Sequence, residues 1–318
     1  MEEILAVKGL EVVLKDIRGT EIRILQGVDF SIKKKESLAL VGESGSGKTI
    51  TARTVMGLLP ERMYVKKGEV LLCGRDILKA SQQELRDIRG VKAGFIFQEP
   101  SSYLNPVFTA GSQIYEAIKK EGLKGDEKKA MCMKVLKDVG LTEDVYWRYP
   151  HQLSGGMQQR VMIAMAIVNH PFLLIADEPT TALDVTTAAG IIELLKNLKE
   201  SYGLSLLFIT HDISLAASFT DKIAVMYTGR IVEVSHPLRM MGSPLHPYTE
   251  KLIACLPERY KPGERIKTIE GAVPDFRSLP EGCPFHPRCP YQMDICRRKE
   301  PPAITIDGFT VRCFRYGD

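Results

Sequence analysis

The fold of this chain is indicated by LSGGMQQR at residues 153–160, which lies just upstream of LLIADE at residues 173–178. Ser154 and the two glycines that follow it are suited to begin a helix at Met157, and a helix N-terminus attracts anions. The apolar residues of the second stretch predict a buried strand that ends in two carboxylates. Together the two stretches predict an anion site and an acidic strand end that are close in the chain.

A glycine-rich loop, GESGSGKT at residues 42–49, follows an apolar run and precedes a segment of helical character. It satisfies G-x-x-x-x-G-K-[S/T] in the required strand–helix context. In such loops, backbone N–H groups and the helix N-terminus cradle phosphate oxygens. We expect Lys48 to neutralise the β- and γ-phosphates and the Thr49 hydroxyl to ligate Mg²⁺. The candidate nucleotide-binding residues of this loop are Gly42, Glu43, Ser44, Gly45, Ser46, Gly47, Lys48, Thr49 and Ile50.

Polar side chains at the ends of predicted strands complete the candidate site. Asp177 ends an apolar strand, where a buried carboxylate needs a cation beside it, so we expect it to hold Mg²⁺. Glu178 is the candidate general base that polarises the attacking water. Gln98 is expected to reach the metal and that water, and His211 to polarise the γ-phosphate edge. The predicted catalytic residues are Glu178, His211, Gln98 and Lys48, and the predicted Mg²⁺ ligands are Thr49, Gln98 and Asp177.

Bulk composition is that of a soluble globular protein. The chain has 318 residues, of which 44% are hydrophobic and 26% charged. The net charge of +4 is too small to indicate nucleic acid as a partner. No apolar run approaches the roughly 18 residues that a membrane span requires, and the N-terminal MEEIL lacks the features of a signal peptide. We therefore expect a cytosolic protein, with any membrane role supplied by its partners.

The composition and the predicted secondary structure change twice along the chain. Strand-like segments and turns dominate the first seventy residues, and a helical insert is predicted at about 99–160. Buried strands and an amphipathic helix then return, up to a closing hairpin at 222–234. After about residue 236 the composition becomes rich in Pro, Cys and Arg. We therefore predict an α/β fold with two domains, residues 1–237 and a C-terminal extension, residues 238–318.

Four of the seven cysteines lie in the last forty residues, at Cys283, Cys289, Cys296 and Cys313. In a reducing compartment they are not expected to form structural disulfides. Their spacing lacks the CxxC pairs of common zinc ribbons and the ferredoxin pattern. Four thiolates nevertheless suit a tetrahedral zinc ion or a [4Fe–4S] cluster. The residues alone leave three states open, which are cluster, zinc and metal-free thiols.

Taken in order, these elements resemble the Walker A, Q-loop, signature, Walker B and switch-histidine motifs of the ATP-binding cassette (ABC) ATPases, over about residues 4–240. The resemblance implies a P-loop NTPase core with an antiparallel β subdomain and a helical subdomain. It also implies that ATP joins two such cassettes, because signature residues of one contact the γ-phosphate held by the other. The residues it adds to the site are Ser154, Gly155, Gly156 and Gln158 of the signature and Asp184 of the D-loop, Ala182-Leu183-Asp184.

One position departs from the pattern of these ATPases. They usually stack adenine on an aromatic side chain of an N-terminal strand, where this chain has Leu14, and its next aromatic residue is Phe30. Apolar packing or looser base recognition is therefore expected here.

The C-terminal extension resembles that of oligopeptide and dipeptide importer ATPases. The resemblance rests on HPYT at residues 246–249 and CPFHPRC at residues 283–289, and on QEP and LNP in the Q-loop region. It implies an ATPase subunit on the cytoplasmic face of the cell membrane, bound to transmembrane permease subunits and served indirectly by an extracytoplasmic substrate-binding protein. The second ATPase of the pair would be a paralogue or a second copy. It further implies a [4Fe–4S] cluster on the four cysteines.

Two alternatives remain beside peptide import. Nickel or sugar importers share the same extension, and an ATPase does not touch the cargo. A soluble ABC ATPase of DNA repair or translation is the more distant alternative. Repair enzymes of this class carry long coiled coils and ribosomal ones a duplicated cassette, whereas this chain has a short insert and a single set of motifs.

Overall fold

The structure is a computed structural model that describes residues 2–181, 183–261, 263–265 and 267–317. Ala182 of the predicted D-loop and both terminal residues of the predicted domains, Met1 and Asp318, lie outside the described residues. The strands are β1 (Glu3–Lys15), β2 (Glu21–Lys33), β3 (Ser37–Val41), β4 (Met63–Leu72), β5 (Arg75–Asp76), β6 (Ala93–Ile96), β7 (Leu173–Asp177), β8 (Ser205–Thr210), β9 (Lys222–Tyr227), β10 (Arg230–Ser235), β11 (Ile304–Ile306) and β12 (Phe309–Val311). The helices are α1 (Lys48–Val55), α2 (Gln82–Ile88), α3 (Pro100–Tyr103), α4 (Ala110–Ala117), α5 (Gly125–Asp138), α6 (Gly155–Ile167), α7 (Val185–Tyr202), α8 (Ile213–Ala217), α9 (Pro237–Gly242) and α10 (Pro247–Ala254).

The described residues divide into two compact units. Counting only described residues, the first unit comprises residues 2–5, 32–36, 72–181 and 183–209, and the second comprises residues 6–31, 37–71, 210–261, 263–265 and 267–317.

The first unit is built on three adjacent parallel strands, in the order β6-β7-β8. Every residue of β7 and β8 is buried, which is the pattern of parallel strands covered on both faces. Helix α6 is buried along most of its length and packs against β6 and α7. The carboxyl end of β7 thus presents Asp177 at the edge of a fully buried core.

The predicted helical insert lies within this unit. Helices α3, α4 and α5 pack against α6, and a 3₁₀ turn at Glu143–Trp147 packs against α4 and α5. The buried Gln113 amide holds the loop that follows α3, because its Oε1 accepts from Asn105 N and its Nε2 donates to the carbonyl oxygens of Asn105 and Phe108. This one side chain fixes the path of the LNP segment.

The second unit contains a run of strands in the order β3-β9-β10-β12-β11. Strand β3 is parallel to β9, whereas β9, β10, β12 and β11 pair in antiparallel fashion. Strands β2, β1 and β4 are neighbours in a separate sheet. Strands β11 and β12 of the C-terminal extension therefore continue the run that contains β3, β9 and β10, because β12 pairs directly with β10.

Most predicted elements are present with small shifts of boundary. Helix α6 begins at Gly155 and not at Met157, because Ser154 itself is the N-cap and its hydroxyl accepts from the Met157 N–H. Helix α1 spans Lys48–Val55, whereas the sequence predicts helical character from Thr49 to Leu59. The hairpin β11–β12 was not predicted. The boundary at residue 237 stays a prediction. No helix among the described residues is long and apolar enough to cross a membrane.

Candidate functional site

The glycine-rich loop lies between a buried strand and a helix, as predicted. All five residues of β3 are buried, and α1 begins at Lys48 after Gly47, whose φ of 108° lies in the left-handed region. A Cβ at Gly42 would lie 2.2 Å from the carbonyl oxygen of Met226, so only glycine fits there. The loop geometry thus depends on glycine at both positions.

Two side chains of this loop are buried and polar. Lys48 is 4% exposed, and its ammonium donates to the carbonyl oxygens of Gly42 at 2.8 Å and Glu43 at 3.1 Å. Ser46 Oγ is buried, and no hydrogen-bond partner for it exists among the described residues. A buried hydroxyl without a partner is costly in a folded protein. This loop therefore carries donor groups that suit phosphate oxygens.

The C-terminal extension holds the second residue of the loop. Glu43 N–H donates to the Tyr248 hydroxyl at 3.0 Å, and the Glu43 carboxylate accepts from both terminal nitrogens of Arg288, at 2.9 and 3.2 Å. The sequence predicts Glu43 only as a nucleotide contact. Arg288 belongs to the CPFHPRC stretch at residues 283–289, but no signal in the sequence connects it to the loop.

The two carboxylates at the end of β7 differ in their surroundings. Asp177 is 3% exposed, whereas Glu178 is half-buried. The backbone of Glu178 has φ 45°, a left-handed conformation that non-glycine residues rarely adopt. It is held there because Glu178 N donates to Ile209 O at 3.0 Å and the Thr181 hydroxyl donates to Glu178 Oε2 at 2.9 Å. The fold thus fixes the orientation of the candidate base.

The predicted Q-loop and switch residues follow strands. Gln98 is half-buried two residues after β6, and Phe97 before it stacks on Tyr103 with ring centroids 3.9 Å apart. His211 is exposed and follows β8 directly. The next residue, Asp212, caps α8 by accepting from Leu215 N at 3.0 Å. Gln98 belongs to the first unit, with Asp177 and the signature, and His211 to the second unit, with the glycine-rich loop.

The signature and D-loop residues stabilise the N-terminal ends of two helices. Gln158 Nε2 donates to Pro150 O at 2.8 Å and Leu153 O at 3.3 Å, which fixes the chain that enters α6. Asp184 caps α7, because its carboxylate accepts from the N–H and the hydroxyl of Thr187. That capping lowers the pKa of Asp184, so the cap remains ionised at neutral pH. These residues shape two helix N-termini, where anions are favoured.

The four C-terminal cysteines line a single small cavity of about 10 Å³. Burial, together with the other three thiols, raises the pKa of Cys283 to about 12. Burial also raises the pKa of Cys289 and Cys313. Among the described residues, no three or more His, Cys, Asp or Glu side chains are arranged to hold a metal ion. This arrangement supports neither a zinc ion nor the predicted cluster.

The other groups of the extension are structural anchors. His246 is buried, and its Nδ1 accepts from Tyr248 N at 3.0 Å, so His246 caps the N-terminus of α10. Glu233 of β10 accepts from Leu245 N and His246 N at 3.0 and 2.8 Å. His286 is half-buried, with Nδ1 3.0 Å from the Cys283 carbonyl oxygen.

Leu14, at the expected adenine position, is half-buried within β1.

Two family models match this chain. Residues 25–181 match the ABC transporter model, and residues 232–296 match the model of the oligopeptide/dipeptide transporter C-terminal region. Among solved structures, the chain is similar to a dimeric ATP-binding cassette in a post-hydrolysis state bound to ADP and Pi. That similarity has a TM-score of 0.66 and 33% identity and covers 73% of this chain and 98% of the other.

Curated relatives resemble the chain over nearly its whole length. It is 41% identical to the dipeptide transport ATP-binding protein DppD of Bacillus subtilis, over 99% of this chain and 95% of the relative. It is 44% identical to the oligopeptide transport ATP-binding protein AppD of the same organism, over 93% and 92%. It is also 44% identical to the dipeptide transport ATP-binding protein DppD of Escherichia coli, over 92% and 90%. The predicted family is confirmed: this chain belongs to the ABC transporter ATPases, among the oligopeptide and dipeptide transport ATP-binding proteins.

Proposed function

We propose that this chain is the ATP-hydrolysing subunit of an importer of di- or oligopeptides. The observation that carries the proposal is the loop at residues 42–49, which combines glycine-dependent geometry, the buried Lys48 and the Ser46 hydroxyl without a partner among the described residues. The relatives bearing peptide-transport names support the cargo. Permease subunits, a second ATPase and, indirectly, a substrate-binding protein are the proposed partners, at the cytoplasmic face of the membrane.

The proposed chemistry is attack of water on the γ-phosphorus of ATP, which forms a bond to the water oxygen, breaks the bond from that phosphorus to the β–γ bridging oxygen and releases ADP and inorganic phosphate. The loop N–H groups bind phosphate oxygens, and Lys48 neutralises their charge. Thr49, Gln98 and Asp177 would hold Mg²⁺, which supplies further charge neutralisation. Glu178 accepts the proton of the attacking water, and its fixed backbone supports that role. His211 polarises the γ-phosphate.

The nucleotide sandwich is proposed for two cassettes, one of which is a paralogue or a second copy. Ser154 and the glycines after it begin α6, so the N-terminus of that helix is an anion site suited to a γ-phosphate held by the opposite subunit. Asp184 at the start of α7 is proposed to belong to the same interface. The cassette is proposed to comprise residues 1–237, and the extension residues 238–318.

The test of this function is Mg²⁺-dependent ATP turnover by the purified chain, alone and with its permease and partner ATPase. Lys48→Ala should abolish turnover, because the loop loses its phosphate-neutralising charge. Lys79→Ala is the control, since Lys79 is exposed and pairs with Asp76 at 2.8 Å. Equal turnover by wild type and Lys48→Ala would contradict the proposed site.

The cargo is tested on the assembled transporter. A substrate-binding protein loaded with peptide should stimulate ATP turnover, whereas nickel or a sugar should not. Stimulation by nickel or a sugar instead would transfer the assignment to that cargo and leave the ATPase role intact.

A [4Fe–4S] cluster on Cys283, Cys289, Cys296 and Cys313 is proposed as the occupant of the cysteine cavity. The resemblance of the extension to that of oligopeptide and dipeptide importer ATPases supports this proposal, whereas the arrangement of the thiols in the structure does not. A zinc ion would need every sulfur about 2.3 Å from one atom, whereas a cluster distributes its four ligands over four irons. Protein purified without oxygen should carry about four irons and four sulfides per chain, lost in Cys283→Ser. One zinc per chain, or no metal, would refute the cluster.

A further inference from the structure

Arg288 in the C-terminal extension is a buried cation that makes five hydrogen bonds. Its side chain is only 4% exposed. Besides the two bonds to Glu43, its guanidinium donates to Glu270 O at 3.1 Å, to Ile269 O at 3.4 Å and to the Tyr227 hydroxyl at 3.3 Å. The carbonyl and hydroxyl contacts hold the guanidinium plane in one orientation, with its fork directed at the Glu43 carboxylate.

Glu43 is therefore held at two separate atoms by the extension. Its carboxylate, 27% exposed, meets the Arg288 fork, and its backbone N–H donates to the buried Tyr248 hydroxyl. Glu43 follows Gly42 and precedes Ser44, so both bonds act on the first turn of the phosphate-binding loop. A planar fork fixes direction as well as distance, which a single ammonium does not.

Aromatic rings lie at the Arg288 end of this ion pair. Tyr227, whose hydroxyl accepts from Arg288, forms a cluster with Tyr248 and Phe285, with centroids 4.6 Å apart between the two tyrosines and 5.3 and 5.4 Å from them to Phe285. Burial of the guanidinium beside these rings strengthens the ion pair relative to one that is fully on the surface. Breaking one partner of a buried pair is costly for the same reason.

We propose that Arg288 is a positioning residue for ATP binding, which holds the phosphate-binding loop in its binding-competent shape through Glu43. The inference rests on the proposed nucleotide site, which it deepens by assigning part of its organisation to the C-terminal extension. Because Arg288 directly precedes Cys289 and follows Cys283 by five residues, the loop is held by the same short segment that carries two of the cavity's cysteines.

A purely structural role makes a different prediction. If Arg288 only attached the extension, its loss would lower thermal stability, and ATP would be bound with unchanged affinity by the molecules that remain folded. If it positions the loop, its loss lowers the fraction of loops in the competent shape. The apparent dissociation constant then rises in inverse proportion to that fraction. The turnover of ATP already bound should change little.

The experiment measures equilibrium binding of Mg-ATP to the full chain, together with KM and kcat for ATP. Arg288→Met removes the charge and keeps most of the volume, and it should raise the dissociation constant and KM about tenfold, with kcat within about twofold. Arg288→Lys keeps the charge without the fork and should rescue only part of this loss. Arg297→Met is the matched control, since Arg297 is exposed in the same extension and contacts Gln292.

A double-mutant cycle links the effect to Glu43. Arg288→Met combined with Glu43→Gln should raise KM no further than Arg288→Met alone, because both changes remove the same contact. Tyr248→Phe, which removes only the hydroxyl that accepts from Glu43 N–H, should raise KM by a smaller factor. If Arg288→Met is too unstable to purify, Arg288→Lys carries the same readout.

The outcomes separate this inference from the proposed function. The inference would be overturned if Arg288→Met or Arg288→Lys had the KM and ATP affinity of the wild type. If Lys48→Ala still lost ATP binding in that case, the proposed nucleotide site would remain supported. Binding retained in Lys48→Ala would instead overturn the nucleotide site itself. Fully additive effects in the cycle would also overturn the inference, since Arg288 would then not act through Glu43.

Discussion

The Glu233 carboxylate should be a principal anchor of the C-terminal extension, and Glu233→Gln tests this. The side chain is 1% exposed and accepts from Leu245 N at 3.0 Å and His246 N at 2.8 Å. Glutamine keeps the shape but turns one acceptor oxygen into an NH₂ donor that faces a backbone N–H. The chain then loses a charge-assisted bond and leaves a buried donor unpaired.

The magnitude follows from those two bonds. A hydrogen bond to a charged group contributes about 1.5–3 kcal/mol, and the removal of a buried charge offsets part of its loss. We therefore expect the free energy of unfolding to fall by about 2 kcal/mol. The assay is urea unfolding, with hydrogen exchange at the amides of Leu245 and His246 as the local readout.

The control is Glu250→Gln, because Glu250 is exposed and accepts only from the Tyr291 hydroxyl, at 3.1 Å, among its hydrogen bonds to described residues. It should leave the urea midpoint unchanged. Unchanged stability and unchanged amide protection in Glu233→Gln would refute the reasoning.

Three further perturbations test the site and its anchors. Glu178→Gln should bind Mg-ATP with wild-type affinity but hydrolyse it at least 100-fold more slowly, the effect of losing a general base; near-normal turnover would remove Glu178 from that role. Gly42→Ala places a Cβ 2.2 Å from the Met226 carbonyl oxygen, so the free energy of unfolding, measured with urea, should fall by about 1–3 kcal/mol, and the affinity for ATP should also fall. A free energy of unfolding equal to that of the wild type would show that the loop can shift. Burial lowers the pKa of His246 to about 3, so its stabilising contribution is present above its ordinary pKa and is lost as pH falls towards 3. His246→Asn, which can still accept from Tyr248 N–H, should flatten that decline in urea titrations between pH 7 and 4, and an unchanged slope would count against it.

Much of the candidate site could be predicted because the residues that carry its chemistry are contiguous in the sequence. A phosphate loop needs glycines, a lysine and a hydroxyl at fixed spacing within one turn, so residues 42–49 identify it without a structure. The same holds for Ser154, since an N-cap acts within three residues of itself. The exact start of α6 could not be predicted, because Gly155 and Gly156 have low helix propensity and only the observed cap places them inside the helix.

The motifs did not predict contacts between residues that are far apart in the sequence. Glu43 and Arg288 are separated by 245 residues, and neither side chain differs in sequence from an ordinary exposed charge. Their pairing depends on β3 and β9 lying side by side, which brings Tyr227 and the loop together within the second unit. The same reason hid the role of Glu233, whose partners are backbone N–H groups that carry no sequence signal.

The sequence by itself determined the family, the phosphate-binding loop and the identity of the acidic and amide groups, because each depends on residues close together in the chain. Only the tertiary structure decided what holds those groups in place. Burial of Arg288 against the tyrosines, the strained backbone of Glu178 and the gathering of four cysteines around one cavity all arise when distant segments pack. Packing sets burial and direction, and these two quantities determine how strongly a charge or a hydrogen bond acts.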